Sequence, residues 1–192
     1  MKHAHQKLNK SQKIIIGGEG VTVKASTFLE NELGVIAIRN FKPGDLVFTI
    51  MGPIVSQRTK YSFQFGPIEH IEPINEKDGN PGLGHFLNHS CNPNVGIRVI
   101  RRGENGFIQV VARKDIRKDE EVRADYASME FETTVESLTC KCGSEHCRGQ
   151  LKGLKNLPQN IVNAYRKERL IPSYLLKLYR KRANARETIK KH

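Results

Sequence analysis

The spacing of four cysteines places the strongest constraint on how this chain folds. Cys140, Cys142 and Cys147 form a C-x-C-x4-C cluster, and Cys91 lies far upstream in a segment rich in Asn, His and Pro. The cluster supplies three ligands for a tetrahedral structural zinc, which requires one more. The fourth ligand is either Cys91, the one remaining cysteine, or His146, which lies inside the cluster. We favour Cys91, in which case the metal joins two distant segments.

The composition is that of a folded protein inside the cell. The length of 192 residues suits one domain with a short appendage, and 38% hydrophobic residues with eight Phe favour a packed core. No apolar secretion signal follows the first residues, and the apolar runs are far shorter than the ~20 residues that span a bilayer. We expect a location in the cytoplasm or nucleus, where reduced thiols bind metal rather than form disulfides.

The net charge of +12 is concentrated at the C-terminal end of the chain. Residues 152–192 contain twelve Lys and Arg against Glu168 and Glu187, a balance of +10, which leaves +2 for residues 1–151. Such a tail is typical of segments that bind a polyanion such as nucleic acid. It is also typical of a solvated helical surface that only keeps a protein soluble. Both interpretations stay open at this point.

Short β-strands separated by turns are predicted along most of the chain. They cover residues 13–16, 21–24, 34–38, 46–50, 62–65, 99–101, 107–112 and 122–124. The glycine cluster at 17–20 is followed by no helix pattern, so a hairpin is favoured over a phosphate-binding loop. A second hairpin turn is predicted at 102–106. Strands at intervals of about ten residues predict a mainly β fold.

Two amphipathic helices are predicted after the cysteine cluster. Apolar residues recur at helical spacing at 161–165 and again at 174–179, with Pro172 between them. The basic run from Lys181 onward predicts a frayed end. Three tyrosines on the apolar faces are expected to pack in the core rather than to act in a site: Tyr165, Tyr174 and Tyr179.

Three segments of the chain resemble the SET-domain protein-lysine methyltransferases. Residues 88–94 match the family signature Asn-His-Ser-Cys-x-Pro-Asn at every position. Residues 115–126 are similar to the stretch that ends in the family's Asp-Tyr pair, and residues 140–149 resemble its post-SET zinc segment. The resemblance implies a mainly β SET fold of several small curved sheets with a knot-like C-terminal threading, here followed by a short α-helical extension.

The expected domain organisation follows from this resemblance and from the charge distribution. Residues 1–12 are expected to form a flexible basic arm and residues 13–130 the SET domain. Residues 131–151 would form the post-SET zinc segment, and residues 152–192 a basic helical extension.

The resemblance also implies S-adenosylmethionine and one structural zinc as cofactors. The implied zinc ligands are Cys91, Cys140, Cys142 and Cys147. Tyr126, the Tyr of the Asp-Tyr pair, is implied as the catalytic residue, orienting the substrate amine or the cofactor rather than acting as a strong base. Cofactor contacts are implied for Leu33, Gly34, Asn88, His89, Tyr126 and Phe131.

The sequence departs from the family pattern at two positions. The family's Gly-x-Gly cofactor loop here reads Glu32-Leu33-Gly34, and Ile50 stands where many members carry a Tyr near the lysine pocket. These departures favour an alternative, a catalytically silent SET-like module that binds nucleic acid or a protein partner through its basic tail. The complete signature and Tyr126 favour the enzyme.

The leading hypothesis is therefore a protein-lysine N-methyltransferase that uses S-adenosylmethionine. Its partner would be a protein with an exposed lysine, such as a histone or a ribosomal or nucleoid protein, because a basic tail suits a target that travels with nucleic acid. Direct nucleic-acid contact is expected through residues 152–192, and none with a membrane. A zinc-binding nucleic-acid protein without SET chemistry would leave residues 88–94 unexplained.

Overall fold

Two β-sheets form the body of the protein in the computed structural model, which describes residues 20–74, 79–133 and 139–189. The strands in the described residues are β1 (Val21–Ala25), β2 (Leu33–Ala37), β3 (Leu46–Ile50), β4 (Ile54–Val55), β5 (Phe63–Gln64), β6 (His70–Ile71), β7 (Asn88–His89), β8 (Val95–Arg102), β9 (Asn105–Ala112) and β10 (Glu121–Ala124). The larger sheet has the order β1-β2-β10-β8-β9-β3, with β7 paired to β10, and the smaller sheet has the order β4-β6-β5.

Strand β10 is the element that brings the distant motifs together. It runs antiparallel to β2 and parallel to β7 and β8, and its pairing with β7 sets Arg123 opposite Asn88 and Ala124 opposite His89. The residues that follow β10 therefore lie beside the loop that carries the Asn-His-Ser-Cys signature. The mainly β fold expected from the sequence is confirmed, whereas the knot-like threading stays a prediction.

Burial of apolar side chains from both strands explains why the central hairpin forms. Ile97, Ile108 and Val110 are at most 1% exposed and pack with Val35 and Val122 in the main core. Strands β8 and β9 pair from Val95–Ala112 to Arg102–Asn105, so the turn falls within the predicted interval 102–106. Gly103 in that turn has a φ of 62°, a left-handed conformation that glycine adopts without a steric penalty.

Several elements differ from the sequence-based expectation. Strand β8 begins at Val95 rather than at residue 99, and the two-residue strands β4, β6 and β7 were not predicted because only long-range pairing defines them. The predicted arm at 1–12 and the predicted strand at 13–16 lie outside the described residues.

Two α-helices follow the cysteine cluster, as predicted: α1 (Gln159–Lys167) and α2 (Ser173–Ile189). The expected fraying from Lys181 is wrong, because α2 continues to Ile189 through Ala, Arg and Glu, which are good helix formers. Three 3₁₀ turns are also present in the described residues, at Leu83–Phe86, Tyr126–Ser128 and Leu154–Asn156. None of the helices in this part of the chain combines the length and apolar character needed to cross a bilayer.

The helical extension packs onto the sheet instead of standing apart from it. Leu157, Val162, Tyr165 and Leu175 form a second buried cluster with Ala127, which belongs to the turn after β10. The link between α1 and α2 also covers β8. A Cβ placed on Gly96 would lie 2.1 Å from Leu170 Cδ2, so only a glycine leaves room for this leucine.

We predict that Gly96→Ala destabilises the protein by about 1–3 kcal/mol, because the added methyl overpacks the contact with Leu170. The same substitution in a Leu170→Ala background should cost markedly less. Urea denaturation of the four proteins in this double-mutant cycle measures the coupling. Equal costs in both backgrounds would show that Leu170 does not press on Gly96 in solution.

Candidate cofactor site and metal centre

The residues predicted to contact the cofactor meet beside β10. Asn88 Nδ2 donates to the carbonyl oxygen of Leu33 at 2.9 Å and to Glu121 Oε1 at 2.8 Å. A Cβ on Gly34 would lie 2.5 Å from the same Glu121 carboxylate oxygen and 3.1 Å from Asn88 Nδ2, so this backbone is packed directly against Asn88. Asn88 Oδ1 has no hydrogen-bond partner among the described residues. An acceptor left open here fits an ammonium group such as that of a methionine moiety.

Glu121 was not singled out by the sequence. It is 1% exposed, and its carboxylate accepts hydrogen bonds from the Ser26 hydroxyl, from the backbone and hydroxyl of Thr27, and from Asn88. It thereby ties the loop after β1 to the signature segment. The sequence carries no signal that separates Glu121 from its neighbour Glu120, because both belong to one acidic run at 119–121.

Tyr126 lies against the signature loop. Its hydroxyl donates to the carbonyl oxygen of Leu87 at 2.8 Å, and its ring packs 5.2 Å from that of His89. Burial raises the pKa of Tyr126, and the charges of Glu130, Glu32 and Glu121 raise it further. The phenol is therefore protonated at neutral pH, in agreement with the expectation that it is no strong base.

Phe131 is in a different environment from the other predicted cofactor residues. Its side chain packs against the buried cluster of the helical extension, and its backbone N–H donates to Gln64 Oε1 at 2.9 Å. Its carbonyl oxygen accepts from the N–H of Lys155. Among the described contacts, none joins Phe131 to Asn88, His89 or Tyr126, so its role as a cofactor contact stays a prediction.

Four potential metal ligands converge where the cysteine cluster meets the signature loop. Donor atoms of His89, Cys91, Cys140 and Cys142 all lie within 4.8 Å of one another. The sulfur atoms of Cys91 and Cys140 are 3.8 Å apart. Two thiolates about 2.3 Å from a tetrahedral zinc would be separated by about the same distance. The donor set therefore fits zinc.

Backbone amides donate to the sulfurs of this cluster. The N–H groups of Cys91 and Arg148 donate to Cys142 Sγ and Cys91 Sγ, each at 3.4 Å. Burial opposes ionisation of Cys142, yet the amides of Cys91 and Ser144 lower its pKa to about 7. Amides that stabilise negative sulfur are suited to metal-bound thiolates.

His89 is better placed to donate to a ligand than to act as one. Its Nδ1 accepts the backbone N–H of Tyr126 at 3.3 Å, so in the neutral ring the proton is on Nε2, which lies 3.3 Å from Cys91 Sγ. Burial lowers the pKa of His89 to about 4, although the charge of Asp125 acts in the opposite direction. The ring is therefore neutral at neutral pH. We therefore keep the predicted ligand set with Cys147.

Cys147 lies at the exposed edge of the cluster. Its sulfur interacts with the side chains of Cys140 and Cys142, and it accepts the N–H of Gly149 at 3.4 Å. The rival ligand His146 is exposed, and its backbone N–H donates to Ser144 Oγ.

The sequence had left Arg148 and Asp125 without a role, although Arg148 Nη2 donates to Asp125 Oδ1 at 2.7 Å.

Comparison with known proteins identifies the family. The SET-domain family model matches residues 32–127, which is half of the chain. The chain therefore belongs to the SET-domain family.

Relatives carry the same domain within much longer chains. A Schizosaccharomyces pombe protein named histone-lysine N-methyltransferase, H3 lysine-4 specific, is 33% identical over 132 residues, which cover 62% of this chain and 14% of that protein. The Arabidopsis thaliana histone-lysine N-methyltransferase ATX2 is 30% identical over 128 residues, with coverage of 60% and 12%. The chain thus spans only a small part of the length of these relatives.

A solved structure supports the fold. KRYPTONITE, in complex with mCHH DNA, an H3(1-15) peptide and SAH, aligns with a TM-score of 0.56 at 21% identity. The alignment covers 68% of this chain and 29% of KRYPTONITE. At this level of identity the match establishes the shared fold.

We predict that the purified protein contains one zinc and that Cys91→Ser, Cys140→Ser, Cys142→Ser and Cys147→Ser each remove it, because loss of one thiolate opens a structural site. Elemental analysis after dialysis against a weak chelator measures the metal content. His89→Ala and the matched control His146→Ala should keep the metal. If His89→Ala lost its zinc while Cys147→Ser retained it, the fourth ligand would be His89 and not Cys147.

Proposed function

We propose that the protein is a protein-lysine N-methyltransferase that uses S-adenosylmethionine. The observation that carries this proposal is the meeting of the Tyr126 hydroxyl, the Leu87 carbonyl oxygen and the Asn88–His89 segment beside β10 in a SET fold. The names of the relatives and the SAH in the KRYPTONITE complex support the same activity. A silent module would have no need for this arrangement.

In this proposal Leu33, Gly34, Asn88 and His89 hold the cofactor, with Phe131 as a further contact. Bound S-adenosylmethionine supplies an activated methyl group on a positively charged sulfur. The task left to the protein is to align a neutral lysine amine and to exclude water. Tyr126 and the Leu87 carbonyl oxygen provide a neutral polar end for the amine: the phenol donates to that carbonyl oxygen, and both oxygens keep a lone pair that can accept an N–H of the amine.

Among the described residues, the buried carboxylates near Tyr126 already have partners. Glu121 accepts from its four donor groups, Glu130 is paired with Arg58 at 2.6 Å, and Glu32 is exposed, so water screens its charge. The described surroundings of Tyr126 therefore disfavour the protonated amine, whose unperturbed pKa is about 10.4. The amine would therefore lose its proton to bulk water before methyl transfer, and Tyr126 need not act as a base.

We predict that Tyr126→Phe and Asn88→Ala each lower methyl transfer at least about a hundredfold, because they remove groups that align the reacting atoms. Transfer of label from S-adenosylmethionine to a mixture of histones and other basic proteins provides the measurement. Tyr179→Phe serves as the control, since in the described part of the chain its hydroxyl bonds to the Leu157 carbonyl oxygen within the extension. Full activity of both site variants would refute the assigned roles.

We further propose that the substrate is a histone or another protein that travels with nucleic acid. Support comes from the relatives' names and from the combination of an H3 peptide with DNA in the KRYPTONITE complex. The extension adds a basic surface for nucleic acid, because its described basic side chains are largely exposed while its large apolar ones are buried or half-buried. The exposed basic residues are Lys152, Arg166, Lys167, Arg169, Lys177, Arg180 and Lys181.

We predict that replacing Lys177, Arg180 and Lys181 by Gln weakens binding to nucleic acid and lowers its salt dependence by about 0.9 per lost phosphate contact. Binding to fluorescent duplex and single-stranded oligonucleotides at several salt concentrations tests this. A triple variant of Lys24, Arg117 and Lys118 removes the same charge from the body and should bind normally. Equal weakening by the two triple variants would show that the tail contributes to binding only through the net charge of the protein.

A further inference from the structure

Asp125, the residue directly before Tyr126, is completely buried and is held by donors from different parts of the chain. The Tyr165 hydroxyl donates to Oδ2 at 2.9 Å, and Arg148 Nη2 donates to Oδ1 at 2.7 Å. Oδ1 also accepts the N–H of Ala127, at 3.0 Å, so the Asp125 carboxylate caps the 3₁₀ turn that contains Tyr126. A buried carboxylate depends on such donors, since water cannot replace them.

Tyr165 is the only donor in this set that comes from the helical extension. It lies on the buried face of α1, is 4% exposed, and has the Arg113 guanidinium 5.4 Å from its ring. Burial raises the pKa of Tyr165, and the neighbouring charge of Asp125 raises it further, so the hydroxyl keeps its proton and donates. The bond crosses from the extension to the catalytic segment of the SET domain.

The two oxygens of Asp125 accept hydrogen bonds from different parts of the chain. Oδ1 accepts from Arg148, which belongs to the cysteine segment at 140–149, and from Ala127, and it lies 3.7 Å from His89 Nδ1. Oδ2 has Tyr165 as its one partner in the described residues. The Tyr165 hydroxyl is therefore the contact that fixes the rotation of the carboxylate. This rotation sets the position of the turn that carries Tyr126 relative to His89.

We propose that Tyr165 is a positioning residue for the methyl transfer: through Asp125 it orients Tyr126 and the signature loop. The helical extension is then a working part of the site, and a SET domain ending near residue 151 would lack this donor. This inference rests on the proposed function for its kinetic consequence and on the geometry of Asp125 for its structural one.

Tyr165→Phe tests the proposal in the zinc-loaded, full-length protein, because it removes one oxygen and keeps the packed ring. We expect kcat to fall about tenfold, with the KM for the protein substrate nearly unchanged, since the substrate-binding surface is untouched. SAH binding, measured by calorimetry, should weaken about threefold as the signature loop loses its fixed position. Tyr179→Phe removes the same atom within the extension and should leave kcat and SAH binding unchanged.

Two results would overturn the proposal: equal losses of kcat in Tyr165→Phe and Tyr179→Phe, or a lower melting temperature of Tyr165→Phe with unchanged kcat. If the wild-type protein transfers no methyl group to any protein tested, the proposed function fails. Amide hydrogen exchange then decides whether Tyr165 positions the turn that carries Tyr126. Faster exchange of the Tyr126 and Ala127 amides in Tyr165→Phe alone supports the positioning role. Unchanged exchange at both amides overturns it.

Discussion

The carboxylate of Asp125 has no access to water, and a charge in that position is tolerated only where donors surround it. Each donor comes from a different part of the chain: Arg148 from the cysteine segment, Tyr165 from the first helix of the extension, and Ala127 from the turn that Asp125 itself begins. The segment that carries Tyr126, the cysteine segment and the extension therefore have to be in place together. Breaking any one contact leaves a buried charge short of a partner.

The metal centre and the predicted catalytic residue are joined by a short path. The sulfur atom of Cys91 lies 3.3 Å from His89 Nε2, and the other nitrogen of the same ring, Nδ1, accepts the backbone N–H of Tyr126. A single neutral imidazole thus connects a predicted zinc ligand with the segment that would orient the substrate lysine. Zinc bound there would do more than close a loop, because its loss would free Cys91 and with it the ring that supports Tyr126.

Local patterns in the sequence were sufficient for the turn of the main hairpin, for both helices and for the motifs that meet beside β10, whereas they missed the first half of β8. Cys91 was linked to the cysteine cluster because so few thiols were available for a tetrahedral site. The structural importance of Glu121 was not predictable, since the full burial of this glutamate and the half-burial of its neighbour depend on which strand β10 joins. The bond from Tyr165 to Asp125 was also hidden, because spacing along a helix predicts a buried face and not the partner of a hydroxyl.

The contact between Gly96 and Leu170 bears on how this chain arose. A glycine within a strand weakens it, and here, at the second residue of β8, the missing side chain makes room for a leucine of the extension. A SET domain without the extension has no reason to keep that glycine and gains strand stability by replacing it. The two positions should therefore have changed together during evolution, the glycine being retained only in lineages that carry the helical extension. Gly96 would then mark, within the domain itself, the ancestry of the segment that covers it.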